Sequence, residues 1–492
     1  MRLLMIAAGL AASVGTAHAD EAEANRLLVE AIGLAAEAAD LPPAEALPLY
    51  AQAVANLDAI VAGHPETNVA VMLATHQPIG TFRSWEVRHE YARLNAGPAE
   101  PACAAPCVWE HQYGDGSGNP LRGGSAWLMT DVLPRPDGTI VVVGNYWHGP
   151  EKDVWLVALG PDGVRLWERT YTGVACDAAL IDDGIVVLAD DVIRGEEAGV
   201  LMVLSDGLAP TGFPVTFEPH AIAADGSGGF LVMGGGDAPV IARHDASGEQ
   251  LWSWSEPGSL VPGARTGAVT AATVMPGGDI RVLGFWEGIH AEGGERVIWS
   301  GVLGSDGTMR DLREIDRVTP ETFGVGCDPV VRPWQIAALG EDVIVRYSTR
   351  SATTANRSTI VARLDATGAE QWRRVEPVDP STQPDPAAWR EAGLDEVLAL
   401  SVSRDGDVLV AGYRHRPEGR GAGYVSRWDG AGETVWTTEL RRPAANDRVD
   451  DAWFSAIAEA PDGGVLAVMT DGLAQLRLRG FIFRLGPDGE AP

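Results

Sequence analysis

The side chains of this sequence that could do chemistry are thinly spread. His148, His290 and His415 fall in three separate stretches of the chain, whereas metal-binding histidines usually come with a second ligand a few residues away. The acid pairs Asp182-Asp183, Asp190-Asp191 and Asp450-Asp451 could suggest carbohydrate cleavage. Neighbours on a strand point to opposite faces, however, so such pairs make poor acid–base partners. No Gly-x-Ser-x-Gly elbow is present for an activated serine. Lys152 is the sole lysine, so Schiff-base chemistry has one candidate amine, in a charged loop. These patterns name no catalytic residue, metal site or cofactor.

The four cysteines are Cys103, Cys107, Cys176 and Cys327, and four cysteines allow three pairings. Cys103 and Cys107, in Cys-Ala-Ala-Pro-Cys, are near enough to bridge each other. A metal site would need two further ligands close by, and none is visible. How Cys176 and Cys327 pair stays open.

The elements that must position these groups come in two kinds. Residues 22–75 carry helical spacing: Leu27, Leu28, Ala31, Ile32 and Ala35, then Tyr50, Val54, Leu57 and Ile60 between Pro43 and Gly63. From Trp109 the period becomes two, and one pattern repeats. Asp137-Gly138 opens the apolar strand 139–143, Trp155 to Leu159 is a second strand, and Gly160-Pro161-Asp162-Gly163 turns into Leu166-Trp167. A Gly-x-x-x-Trp step recurs at Gly163/Trp167, Gly248/Trp252, Gly368/Trp372 and Gly432/Trp436. Glycine suits a two-residue hairpin with positive φ, and the tryptophan should cap the contact with the next repeat. One repeat breaks the pattern, with Asp311 four residues after Gly307.

Counting these units gives blades near 126–171, 175–217, 219–255, 266–316, 328–376, 394–440 and 450–489. The expected fold is therefore all-β: a seven-bladed β-propeller over 107–492, preceded by a small α-helical segment over 20–100. The last blade is one strand short, and Trp109-Glu110-His111-Gln112-Tyr113 resembles Trp167 to Tyr171. That N-terminal strand should complete the seventh blade and leave no open edge.

The repeats resemble those of quinoprotein-like (pyrroloquinoline-quinone-like) bacterial propellers, through Leu-x-x-x-Gly-x-x-x-Trp and the Asp-Gly strand starts, over roughly three quarters of the chain. The helical segment resembles one helix pair of a tetratricopeptide unit. Quinone enzymes of the propeller type usually have eight blades, adjacent bridged cysteines and an acidic cluster over the ring centre. This chain has seven repeats and neither motif, so no cofactor is expected.

Met1, Arg2, the apolar run Leu3 to Val14 and Ala17-His18-Ala19 read as a signal peptide over 1–19, placing the protein in the periplasm or outside the cell. No later stretch reaches the ~20 apolar residues of a membrane span. A net charge of −31 excludes nucleic acid as partner.

In a four-stranded meander the Asp-Gly turns share one face. The other face carries the variable loops, where Trp147, His148, Trp286, His290, His415, Trp334 and Trp453 are placed. Irregular loops on a rigid scaffold commonly carry function. The competing reading for each tryptophan is packing. The function expected is a non-catalytic binding or scaffold protein whose variable face holds a protein, peptide or glycan. The alternative is a periplasmic enzyme, either a quinone-type oxidoreductase or a polysaccharide-active one.

Overall fold

The computed structural model divides the chain into two compact units, residues 1–102 and 103–492. It describes residues 19–491 apart from 39–40, 42, 66, most of 75–107, 114–124, 149–150, 182–183, 191–199, 206–209, 256–265, 288–295, 319–333, 351–356, 377–394, 415–421, 441–452 and 472–478. At some strand ends only the backbone is described.

The first unit contains helices α1 (Ala19–Ala38), α2 (Pro43–Gly63) and α3 (Asn68–Ala74). Leu28 and Ala31 of α1 are buried against Tyr50, Ala53, Leu57 and Ile60 of α2. Leu27, Ile32 and Ala35 flank that core and are only partly buried. Thr67 caps α3, its Oγ1 accepting from the Ala70 N–H at 3.2 Å. No described helix is long and apolar enough to cross a membrane.

The second unit is built of antiparallel meanders. A short strand, β1 (Trp109–Tyr113), comes first. The first meander is β2 (Ser125–Pro134), β3 (Ile140–His148), β4 (Glu151–Leu159) and β5 (Arg165–Thr172). The second is β6 (Val174–Ile181), β7 (Gly184–Asp190), β8 (Val200–Ser205) and β9 (Pro210–Pro214), and the third is β10 (Glu218–Ala224), β11 (Phe230–Gly236), β12 (Val240–His244) and β13 (Gln250–Ser255). In the fourth, β14 (Thr266–Val274), β15 (Ile280–Glu287) and β16 (Arg296–Leu303) lead to the long outer strand β17 (Met309–Val318). The fifth runs through β18 (Gln335–Leu339), β19 (Asp342–Arg350), β20 (Arg357–Leu364) and β21 (Glu370–Glu376). The sixth holds β22 (Asp395–Val402), β23 (Val408–Arg414), β24 (Ala422–Trp428) and β25 (Thr434–Leu440). Last come β26 (Trp453–Glu459), β27 (Val465–Asp471) and β28 (Arg479–Leu485), and β1 adds a fourth strand by pairing antiparallel with β28, Trp109 opposite Arg484.

The middle strands are almost continuously apolar because both of their faces are covered by neighbouring meanders. Val141, Val143, Leu156 and Ala158 pack on the second meander, while Ile140, Val142, Val157 and Leu159 pack with Trp109, Leu466 and Ile482 of the last. First strands touch in sequence: β2 on β6, then β10, β14, β18, β22 and β26, and β26 returns to β2.

Six of these first strands carry a bulge near one position, at Thr130, Cys176, His220, Thr270, Leu398 and Ser455. A bulge leaves ladder groups unpaired, and the preceding meander supplies their partners. Asn145 accepts from the Ala175 N–H at 2.6 Å and donates to its carbonyl at 2.9 Å. Thr470 Oγ1 accepts from the Met129 N–H at 2.8 Å, and Arg346 Nε donates to the Val397 carbonyl at 2.8 Å. In the third meander the corresponding residue is Gly235, and there the backbone itself pairs with Ala268. That pairing merges two meanders into one eight-stranded sheet. A Cβ on Gly235 would lie 2.1 Å from the Gly267 carbonyl oxygen, so only glycine permits the approach.

The turns differ from the two-residue hairpins expected. The Gly163 N–H donates to Gly160 O at 2.9 Å, and the Gly160 N–H to Val164 O at 2.7 Å. Gly163 has φ +83°. This is a three-residue loop whose left-handed glycine makes a bulge, and Asp162 stabilises it by accepting from the Val164 N–H at 3.0 Å.

Candidate functional site

The tryptophan of the repeat joins meanders. Trp109 Nε1 donates to the Pro161 carbonyl at 3.1 Å, Trp252 to Ser305 at 2.9 Å, Trp372 to Gly430 at 3.0 Å and Trp436 to Pro487 at 3.1 Å. Each acceptor lies in the last turn of the next meander, two residues before a glycine on which the indole rests. A Cβ on Gly163 would lie 2.8 Å from Trp109 Cδ2, and Gly307, Gly432 and Gly489 are crowded in the same way by Trp252, Trp372 and Trp436. Glycine is thus required twice over, for its positive φ and for the indole's approach. In the last meander this latch comes from β1. Beside Trp109, His111 Nε2–H donates to Gly163 O at 2.7 Å. Burial lowers the His111 pKa, partly opposed by that bond.

The fourth meander lacks the tryptophan. Asp311 takes its place, and Gly368 of the fifth meander meets only the Arg313 stem, 3.6 Å from where a Cβ would lie. Arg313 is 52% exposed and ion-paired with Asp311 at 2.8 Å. A cleft of about 230 Å³ opens here, lined by Glu314, Ile315, Val345, Tyr347, Leu364 and Gly368 among others. Its polar wall is a small network. Tyr347 Oη donates to Asp316 Oδ2 at 2.7 Å, and Arg373 Nη1 donates to the same oxygen at 3.0 Å. Burial, with the Asp316 carboxylate second, pushes the Tyr347 hydroxyl well above the ordinary phenol range, so it stays a hydrogen-bond donor.

The residues singled out on the variable face are scattered. Trp147 and His148 are the last residues of β3, not loop residues. Trp147 is partly exposed, Lys152 Nζ stands 4.7 Å from its ring centre, and Nε1 has no hydrogen-bond partner among the described residues. Nearby, Trp127 and Tyr146 face each other across strands with ring centres 4.7 Å apart. Only the backbone of His148 and Trp453 is described; Trp453 opens β26 opposite Thr470. His290, His415, Cys103 and Cys107 lie outside the described residues.

Trp286 corrects the loop reading. It lies within β15 at 1% exposure, packed on Gly267 where a Cβ would come within 2.7 Å of its ring. A ring so enclosed is packing, not a contact surface. Trp334 is 3% exposed and sits edge-on to Phe285 and Tyr347 at 5.3 and 6.3 Å, so it too is core.

Cys176 occupies a first-strand bulge, is buried and is disulfide-bonded. Sequence reasoning passed over His220, which occupies the equivalent bulge of the third meander. Burial pulls its imidazole down to about 4, leaving it neutral at pH 7. The only signal in the sequence was its alignment with Thr130, Cys176, Thr270 and Ser455.

No family model matches the sequence, and no curated protein does. Among solved structures, the propeller domain of the trilobed protease from Pyrococcus furiosus is similar at 10% identity, over 73% of this chain and 93% of that one, with TM-score 0.41. A gluconolactonase from Xanthomonas campestris shares 14% identity over 68% and 89%, with TM-score 0.36. A Bacteroides caccae protein of unknown function shares 13% over 58% and 90%, with TM-score 0.35. The fold is of the propeller type. Likeness at these scores carries no activity over to this chain.

Proposed function

We propose that this chain is an exported binding protein: a seven-bladed propeller, closed by β1, whose variable loop face holds a protein, peptide or glycan. The seven-bladed reading is supported by the cycle of first-strand contacts from β2 round to β26. In this reading residues 1–19 direct export to the periplasm or beyond, and Cys103 and Cys107 bridge each other there.

The observation that carries the binding reading is the aromatic end of the first blade. Trp147 is partly exposed on a rigid strand end, its indole N–H turned inward and buried, its body packed on Ala126 and Leu128, and a cation over its ring. Aromatic side chains held this way are efficient anchors, because little conformational freedom is lost on contact.

The test is affinity capture from periplasmic extract with immobilised mature protein. Trp147→Ala should weaken capture by roughly tenfold or more, the loss expected of a central anchor, with an unchanged melting temperature. Equal capture by both proteins would remove Trp147, and with it the variable face of the first blade, from the account.

A further inference from the structure

The cleft beside β17 has the same walls as a site that, among the described residues, this chain fills four times with its own tryptophan. Where β1 meets the first meander, Trp109 packs with Val142, Val157 and Leu159 and rests on Gly163. Leu159 is the last residue before the turn to Gly163, and Leu364 holds that place before Gly368; Val142 and Val157 correspond in register to Val345 and Ala362. Val345, Ala362, Leu364 and Gly368 all line the cleft. Its walls are therefore an indole's walls without the indole, and Ala362, smaller than Val157, widens them.

The hydrogen-bond acceptor is present as well. Ser305 O accepts from both Trp252 Nε1 at 2.9 Å and Arg243 Nη1 at 3.0 Å. Gly430 O accepts likewise from Trp372 at 3.0 Å and Arg363 at 2.6 Å. The equivalent carbonyl, two residues before Gly368, is that of Ala366. Arg281 donates to it, and among the described residues no indole does. A carbonyl oxygen has two lone pairs, and one of these remains for a further donor.

We propose that this cleft is a binding site for a tryptophan side chain presented by a peptide segment of a partner protein. The indole enters between β17 and the fifth meander, lies over Gly368 and donates its N–H to Ala366 O. The Arg313 stem, the one described group over Gly368, swings aside; at 52% exposure it has solvent to move into. Tyr347 and Arg373, tied to Asp316, keep the far wall fixed and polar, so that the peptide backbone meets hydrogen-bonding groups there. At about 230 Å³ the cleft suits one large side chain, well short of the ~300–1,000 Å³ of sites that enclose a whole small ligand. This site is separate from the variable face and does not depend on it.

The probe is N-acetyl-tryptophanamide, titrated into full-length mature protein and followed by ligand-observed NMR, with N-acetyl-alaninamide as control. Saturable binding with half-saturation on the order of millimolar is expected for the indole and none for the control. Asp311→Trp supplies the missing latch from within and should abolish binding. Arg313→Ala removes the competing stem and should tighten it several-fold. Binding that fails to saturate, or that survives Asp311→Trp, would overturn the proposal. Should Asp311→Trp not fold, Arg313→Ala decides: unchanged or weaker binding counts against the cleft. Binding lost only in Trp147→Ala would place the indole site on the variable face instead.

Discussion

Two junctions of the ring are made from the same repeat and come out differently. Between the last and first meanders, Trp109 rests on Gly163 and bonds to Pro161, while Tyr113 stands edge-on to Trp155 at 4.7 Å. Trp155 Nε1 donates to Glu168 at 2.6 Å, which Arg165 holds at 2.8 Å. The junction is aromatic and filled. Between the fourth and fifth meanders the outer strand brings Asp311 and Asp316 in place of aromatics, and the partner blade answers with Tyr347 and Arg373. That junction is bridged by hydrogen bonds and stays open. A filled junction derives its strength from buried apolar area. A bridged one gives up part of that area, which leaves a cleft with shape and polarity. One scaffold thus yields either a filled seam or an open cleft, depending on what the outer strand carries at 311 and 316.

The largest effect should come from removing the filled seam altogether. Deleting residues 109–113 exposes the β28 edge and strips Ile482, Leu466 and Val157 of their cover. The propeller should lose on the order of 5 kcal/mol or more, read as a fall in the chemical-denaturation midpoint. A midpoint unchanged from the full chain would mean that β1 is not part of the ring.

Next comes the repair of the open seam. Asp311→Trp should stabilise by about 1–2 kcal/mol, the usual gain from filling a cavity. The Asp311–Arg313 pair given up is exposed and contributes little. A lower melting temperature would show that Tyr347 and Asp316 hold the blades at a spacing an indole does not fit.

The first-strand bulges add a pH dependence to the one His111 brings to the filled seam, where burial also lowers the imidazole pKa. His220 is neutral when folded, with a pKa of about 4 against the ordinary 6.5. Between those values the unfolded chain binds the extra proton, so stability falls as pH drops from 6.5 toward 4. The loss should amount to roughly 2–3 kcal/mol at the lower end. His220→Gln should make the profile shallower in that window, leaving the smaller slope that His111 contributes. Acid loss below it would remain, because Asp137, Asp245, Asp306 and Asp365, whose pKa values their turns lower, become protonated there. An unaltered profile in the variant would assign the dependence to other groups. Tyr347→Phe should cost about 1 kcal/mol, the smallest effect, by leaving Asp316 one donor short, read from the denaturation midpoint.

Much of this was legible beforehand, and for a physical reason. A left-handed turn demands glycine, so the steps Gly163/Trp167, Gly248/Trp252, Gly368/Trp372 and Gly432/Trp436 stand out; that each latching indole presses on a glycine of the next meander, as Trp252 does on Gly307, is visible only in the structure. The kinship of 109–113 with 167–171 was visible in the same way, since both strands present Trp and Tyr to the following blade. Asp311 could be seen to break the pattern. What its absence of bulk leaves behind could not, because a cleft depends on what the neighbouring side chains do, here the outward turn of Arg313. Trp286 was misplaced for a related reason. The sequence shows where β15 starts, whereas the strand's reach to Glu287 depends on its pairing with Thr266 and Arg296. His220 escaped because a bulge answers to hydrogen-bond partners on the preceding meander, such as Asn145 and Thr470, far away in sequence.

The most direct test of the closed, latched ring is to compare one substitution at two junctions. Trp109→Ala and Trp436→Ala remove the same indole from the same kind of glycine, once from β1 and once from within a continuous meander. Both should lower stability by about 3–5 kcal/mol, and by equal amounts to within about 1 kcal/mol, in parallel denaturation curves. If Trp436→Ala is costly and Trp109→Ala is silent, β1 is not the closing strand and the ring is held shut by something else.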